Sequence, residues 1–140
     1  MAADVFISHA REDNDFARRL TRILNNQGVN AFSDIQILAG EDWGEHLRRS
    51  LDGAAAMVVI MSPAALRSPS VLSEIGAALG ADEPIVPVVP PNHRLPRDIP
   101  PPIGRLQFLR TDKLSDSEIA TSIGGRLGEL TNRGRVAGGQ

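Results

Sequence analysis

Short apolar runs alternate along the chain with longer segments in which apolar residues recur every three or four positions. The first run, from Asp4 to Ser8, is typical of a buried strand. A helix is predicted next, capped by Asp13 or Asn14 and ended by Gly28. Val29 to Phe32 then predicts a second, shorter strand. The largely apolar face of the helix consists of Phe16, Leu20, Ile23, Leu24 and Gln27.

The middle of the chain repeats this alternation. Ala54 to Met61 is the most continuous apolar run, and such a run suits a strand that helices cover on both faces of a parallel sheet. The helix predicted before it has Trp43, Leu47 and Leu51 on one face. The helix predicted after it carries an apolar stripe formed by Val71, Ile75, Ala78 and Leu79.

Two further strands and a final helix are predicted in the last part of the chain. Ile85 to Val89 is an apolar run typical of a buried strand, and Leu106 to Leu109 predicts a short one. The Pro-rich residues 90–104 between them predict an extended loop. Ser115-x-x-Glu118 is a capping box, and the helix that it opens carries Ile119, Ile123, Leu127 and Leu130 on one side.

Strands that alternate with helices predict an α/β fold with a parallel sheet and right-handed crossovers. A chain of 140 residues can bury about two-thirds of its unfolded surface and fold as one domain. We place this domain at residues 1–130. Residues 131–140 are polar and Gly-rich, which predicts a flexible tail or linker.

Composition and charge exclude several classes of protein. A net charge of −2 and a pI near 5.9 argue against direct binding to nucleic acid or to an anionic membrane. The chain has no cysteine, so disulfides, thiolate nucleophiles and Cys-based metal sites are excluded. No secretory signal pattern and no apolar run of the ~20 residues that a membrane span needs are present. We therefore expect a cytoplasmic protein.

Four short motifs identify a family resemblance. The first strand runs into Ser8-His9-x-Arg11-x-Asp13, and Phe32-Ser33-Asp34, Ile60-Met61-Ser62-Pro63 and Glu74 follow in order. Over residues 4 to 130 the chain resembles the TIR (Toll/interleukin-1 receptor) domains. The resemblance implies a flavodoxin-like, doubly wound sheet of five parallel strands in the order 2-1-3-4-5, with helices on both faces. Ligands of such sheets bind beyond the carboxyl ends of the strands, where the first and third strands diverge.

Many TIR domains similar to this chain, those of the bacterial NAD-cleaving type, break the bond between nicotinamide and ribose. The resemblance implies that Glu74 is the catalytic residue, that NAD is the substrate and that no cofactor is bound. Cleavage leaves an oxocarbenium-like ribose, which a fixed carboxylate stabilises. Nicotinamide leaves as a neutral molecule, so no general acid is needed. The product is nicotinamide with either ADP-ribose or a cyclic ADP-ribose.

Glu74 also has a purely structural interpretation, as a first-turn glutamate that interacts favourably with the helix dipole. The chain departs from the family here, because the family has Trp four residues before the glutamate and this chain has Ser70. Small neighbours such as Ser70 leave room for a dinucleotide. Trp43 is a candidate replacement for the missing pocket wall, although its position in the apolar stripe better fits a core residue.

The remaining candidate residues for binding NAD follow the first and second strands. Ser8 and His9 lie at the predicted switch point, and Arg11 is a candidate for contact with the pyrophosphate or, alternatively, a solvated side chain. Asp34 either accepts hydrogen bonds from ribose hydroxyls or opens an Asx turn. No histidine is paired with other ligands in a metal-binding pattern, so no metal site is predicted.

The loop from Ser33 to Asp42 corresponds to the segment through which TIR domains self-associate. Ile35, Ile37 and Leu38 are apolar residues in this loop, and they predict either an interface or side chains that fold into the core. The resemblance implies other TIR domains as partners, in a homo-oligomer or filament that orders the site and activates cleavage. It also allows a fused or separate sensor domain.

Two rival functions follow from the same fold. A phosphoacceptor receiver domain needs an acidic pair after the first strand, where Ser8 and His9 stand. A TIR domain that only scaffolds other TIR domains is the stronger alternative, because the family's Trp is missing. The Ala-, Arg- and Gly-rich composition is typical of bacterial proteins, for which the resemblance points to NAD cleavage in antiphage immunity.

Overall fold

The computed structural model describes residues 4–33, 56–94, 99 and 104–138. The strands are β1 (Asp4–Ser8), β2 (Asn30–Ser33), β3 (Ala56–Ile60), β4 (Ile85–Val89) and β5 (Leu109–Arg110). The helices are α1 (Asn14–Asn26), α2 (Pro63–Leu66), α3 (Pro69–Gly80) and α4 (Asp116–Gly138), and a 3-10 turn at Arg11–Asp13 precedes α1.

All five strands form one parallel sheet in the order β2-β1-β3-β4-β5, which confirms the predicted topology. The register places Phe6 of β1 between Phe32 of β2 and Met57 of β3. Every residue of β3 is buried, as its continuous apolar run predicts for a central strand. The sheet order leaves β1 and β3 as neighbours whose chains leave toward opposite sides, so their carboxyl ends form the switch point.

Two apolar layers enclose the sheet because strand side chains alternate between its faces. Val5 and Ile7 of β1 pack on one face with α1 and α4, while Phe6 packs on the other with α2 and α3. The first layer includes Ala17, Leu20, Leu24, Val58, Ile60, Val88, Ile119 and Ile123. The second includes Met57, Val59, Met61, Ala65, Val71, Ile75, Ala78 and Ile85.

Helix boundaries follow the local signals in the sequence. Gly28, with a φ of 84°, lies just beyond the end of α1 in the left-handed region that favours glycine. The capping box of α4 is confirmed, because the Ser115 backbone N–H donates to Glu118 and the Glu118 N–H donates to Ser115 Oγ. Among the described residues, no helix has the length and apolar character required to span a membrane.

The structure corrects several details of the predicted elements. β5 is Leu109–Arg110 and begins where the predicted strand ends. Leu79, predicted in the apolar stripe of α3, is exposed, because the turns of α3 that face the sheet present Val71, Ile75 and Ala78 instead. α4 continues to Gly138, past Thr131, where the sequence predicts the tail to begin. The division of the chain into a domain and a flexible tail stays a prediction.

Candidate functional site

Buried polar side chains cluster where β1 and β3 end. Ser8 is the last residue of β1, and Ser62 follows the end of β3. Both hydroxyls are enclosed, as are the side chains of His9, Asp13 and Glu74. Burial of polar groups is costly unless they are hydrogen-bonded. This concentration at the switch point therefore marks a candidate ligand site.

The position of Glu74 follows from where α3 begins. Ser68 caps this helix through the Val71 N–H, and Pro69 is its first residue. Glu74 consequently lies in the second turn, on the stripe that also carries Val71 and Ile75 and faces the sheet. Its carboxyl group is 0% exposed. The alternative of a first-turn glutamate beside the helix dipole is therefore wrong, since the first turn of α3 contains no acidic residue.

Ser8 donates a hydrogen bond to Glu74. Alternation along β1 places Ser8 on the same face as Phe6, which packs against α3. The Ser8 hydroxyl donates to Glu74 Oε1 across a distance of 2.5 Å. This length is typical of a hydroxyl bound to a carboxylate. The contact fixes one carboxylate oxygen at the end of β1, so two of the predicted site residues are brought together.

A second serine–carboxylate contact lies beside the first. The Ser62 hydroxyl donates to Asp13 Oδ2 at 2.5 Å and accepts a hydrogen bond from the Ala65 N–H at 3.1 Å. Asp13 stands at the N-cap position of α1, but its side chain makes no capping hydrogen bond. Asp13 thus occupies the predicted N-cap position, but its carboxylate contacts Ser62 instead of the first N–H groups of α1.

His9 and Arg11, predicted to bind NAD, occupy different environments. The His9 side chain is buried, and its Nε2 lies 2.7 Å from Asn14 Oδ1 at the start of α1. Arg11 opens the 3-10 turn and is exposed. Ser70 lies one turn before Glu74 on α3, with its Oγ 3.3 Å from Ser68 Oγ. Of these three residues, His9 is thus the one enclosed with the serine–carboxylate contacts.

Comparison with known protein families identifies the family of this chain. A sequence model described as TIR domain matches residues 5–122. The chain belongs to the TIR-domain family. The match spans both serine–carboxylate contacts, and TIR domains typically interact with other TIR domains. No curated protein matches the chain.

Two solved structures have the same fold as this TIR domain. The TIR domain of the Toll-related receptor TRR-2 from Hydra magnipapillata has a TM-score of 0.66 and 18% identity, over 94% of this chain and 97% of that one. A diflavin flavoprotein from Nostoc sp. has a TM-score of 0.58 and 16% identity, over 98% of each chain. At such low identity, these likenesses show the flavodoxin-like fold alone.

Several predicted residues of the TIR domain lie outside the described residues. They are the binding candidates Asp34 and Trp43 and the interface candidates Ile35, Ile37 and Leu38. Their roles stay predictions. The sequence interpretation missed Asp13 and Ser62 as members of the site, although both stand in the motifs that carry the family resemblance. The presence of Asp13 and Ser62 in those motifs is the signal that could have identified them as site residues.

Two surface cavities lie away from Glu74. One of about 370 Å³ lies beside the start of β4 and includes Arg105, Arg126 and Glu129 in its lining. The other, of about 530 Å³, lies beside β5 and is lined mainly by apolar side chains such as Leu106 and Phe108. Within the described part of the chain, no group of three or more His, Cys, Asp or Glu residues is placed to hold a metal ion.

Proposed function

We propose that this TIR domain cleaves NAD at the bond between nicotinamide and ribose, with Glu74 as the catalytic residue. The observation that carries the proposal is the hydrogen bond from Ser8 to Glu74 at the switch point. A helix stripe that faces a sheet normally consists of apolar residues. An ionisable side chain that is 0% exposed in that stripe, with one oxygen fixed by a hydroxyl, is a candidate for function.

The chemistry requires little more than one positioned carboxylate. The bond between ribose C1′ and the nicotinamide nitrogen breaks, and nicotinamide leaves with the bonding electron pair as a neutral molecule. Glu74 stabilises the positive charge that develops on the ribose, an interaction that is strong where water is excluded. Water then adds to C1′ and releases a proton to give ADP-ribose, or an adenine nitrogen adds to give a cyclic product.

Activation by self-assembly is part of the proposal. Glu74 is completely enclosed, so NAD reaches it only after the surrounding segments move. Association with other copies supplies a free energy that can favour such an opened arrangement. The predicted interface residues Ile35, Ile37 and Leu38 belong to the segment that leaves β2, the strand next to β1. In a bacterial cell, the resulting loss of NAD or the cyclic product would act in antiphage immunity.

A scaffolding TIR domain is the second candidate function. The same enclosure of Glu74 favours it, because a carboxyl group that never meets solvent serves packing and hydrogen bonding alone. Leu72 and Leu79 are the large apolar side chains that remain exposed among the described residues, and both lie on α3. Exposed apolar side chains on one helix are a suitable contact for another protein.

The deciding experiment measures NAD consumption by concentrated protein, with and without a crowding agent that promotes assembly. Wild type, Glu74→Gln and Glu118→Gln are compared under both conditions. Consumption by wild type and Glu118→Gln, with loss in Glu74→Gln, is the expected result. If wild type consumes no NAD in either condition, or if Glu74→Gln retains activity, the proposed catalytic role is wrong. Association measured by sedimentation without any turnover favours the scaffold.

A further inference from the structure

The second serine–carboxylate contact has no evident purpose in folding α1. An aspartate at a helix N-cap ordinarily accepts a hydrogen bond from one of the first free backbone N–H groups. Asp13 stands at this position, yet its side chain makes no capping bond and is only 7% exposed. The 3-10 turn takes over part of that role, because the Asn14 N–H donates to the Arg11 carbonyl, and the Asp13 side chain is not used for it. The carboxylate instead contacts Ser62, which follows the end of β3.

The Ser62 hydroxyl has a fixed direction in this contact. A serine hydroxyl carries one proton and accepts through its lone pairs. Ser62 donates a hydrogen bond to the Asp13 carboxylate and accepts one from the Ala65 N–H. The Ser62 residue is 1% exposed. Both interactions are therefore specific and shielded from water. They tie the start of α2 to the turn that follows β1.

The two serine–carboxylate contacts cross the switch point in opposite directions. Ser8, at the end of β1, donates to Glu74 on the helix that follows β3. Ser62, beyond the end of β3, donates to Asp13 on the turn that follows β1. Between Ser62 and Glu74 lie only the short helix α2 and the first turns of α3. The Asp13–Ser62 contact therefore restrains the segment that carries Glu74.

We propose that Asp13 is a positioning residue for Glu74. Acting through Ser62, it holds the α2–α3 segment against β1, and this keeps the Glu74 carboxylate within reach of Ser8. The kinetic part of this inference rests on the proposed cleavage of NAD. The structural part does not, because the position of Glu74 can be observed directly.

The kinetic test compares Asp13→Ala, Ser62→Ala and the double variant. We expect each single variant to lower kcat about tenfold, the loss typical of one charge-assisted hydrogen bond, with a much smaller change in KM. Since both residues act through one contact, the double variant should lose no more than either single variant. Additive losses, or losses in KM alone, contradict the proposal.

Two further variants separate positioning from general destabilisation. Asp13→Asn retains an acceptor oxygen for Ser62, so it should recover most of the kcat lost in Asp13→Ala. Thr111→Val removes another hydroxyl that is 1% exposed and donates to a carbonyl, that of Val89, at the end of β4. It should lower the melting temperature and leave kcat unchanged. If Thr111→Val lowers kcat as much as Ser62→Ala, Asp13 has only a structural role.

A spectroscopic measurement tests the inference without any enzymatic readout. Protein labelled with ¹³C at glutamate carboxyl carbons gives a signal for Glu74, assigned by its absence in Glu74→Gln. Asp13→Ala and Ser62→Ala should shift this signal, whereas Thr111→Val should not. An unchanged Glu74 signal in both Asp13→Ala and Ser62→Ala overturns the inference. If wild type consumes no NAD, the proposed function fails, and this measurement still decides the role of Asp13.

Discussion

The TIR domain contains two pairs of serine and glutamate that are built from the same residue types in opposite surroundings. Ser115 and Glu118 are three residues apart at the exposed start of α4, where each side chain accepts from the other's backbone N–H. Ser8 and Glu74 are separated by 66 residues and meet in the interior. The exposed pair stabilises a helix end, and water can replace it. The buried pair forms only because the fold brings β1 and α3 together. Its burial, with the carboxylate fixed by a hydroxyl, makes Glu74 a candidate active-site residue.

The largest expected difference between the two pairs is in activity. Glu74→Gln keeps the shape of the side chain and removes its charge, so NAD cleavage should fall by a factor of about 100 or more, the scale of a lost electrostatic contact in a transition state. Glu118→Gln should retain the wild-type rate. Steady-state assays of nicotinamide release measure both. Equal rates in the two variants would remove the functional distinction between the pairs.

Assembly should raise the rate of NAD cleavage, because it should make Glu74 accessible to NAD. Leu38→Asp introduces a charge into the predicted interface loop, so oligomer size and NAD cleavage should fall together. Light scattering and the NAD assay on the same samples measure this coupling. Leu72→Asp, on the exposed side of α3, serves as a comparison at a different surface. Unchanged oligomers and rate in Leu38→Asp would refute the interface role of the loop.

The two pairs should also differ in how much each contributes to the free energy of unfolding, although this difference is smaller than the difference in activity. Ser8→Ala removes a donor from a buried carboxylate oxygen and should lower the free energy of unfolding by about 1–3 kcal/mol. Ser115→Ala should cost less, because the exposed backbone N–H that it frees can bind water. Urea denaturation of both variants measures the difference. A larger loss in Ser115→Ala would show that burial does not strengthen the first pair.

The smallest expected effect is a pH dependence of the exposed pair. Hydrogen bonds from the Ser115 backbone N–H and side chain lower the pKa of Glu118 below its ordinary value. The contribution of Glu118 to stability is therefore present above the ordinary glutamate pKa and is lost as pH falls through the lowered folded-state pKa. The stability difference between wild type and Glu118→Gln should disappear in acid. A difference that is constant with pH would contradict this origin.

Much of the fold could be predicted because it depends on local patterns. The continuous run around Met57 predicts a central strand, and the capping box fixes the start of α4 to the residue. The order of the strands required the family resemblance, since periodicity predicts elements and not their neighbours. Leu79 was misplaced because the angular position of a residue near the end of a helix depends on tertiary packing.

The candidate site could be predicted only in part, for a related reason. Glu74 and Ser8 were identified from family motifs, but their contact depends on long-range pairing. Asp13 and Ser62 each had a sufficient local explanation as a helix cap, and Ser62 does cap α2. Nothing local indicates that the Asp13 carboxylate turns instead toward a serine 49 residues away. Residues with plausible local roles are thus the ones whose tertiary roles are missed.

Glu74 is the sole charged residue in α3, and it points inward. The outer surface of this helix therefore carries no charged side chain of its own, so salt should affect contacts across it less than contacts between charged surfaces. Replacing Glu74 with glutamine also leaves this surface chemically unchanged. A polymer that forms through α3 should therefore accept active and inactive subunits alike, so mixed filaments can be titrated to count how many intact subunits one assembly needs.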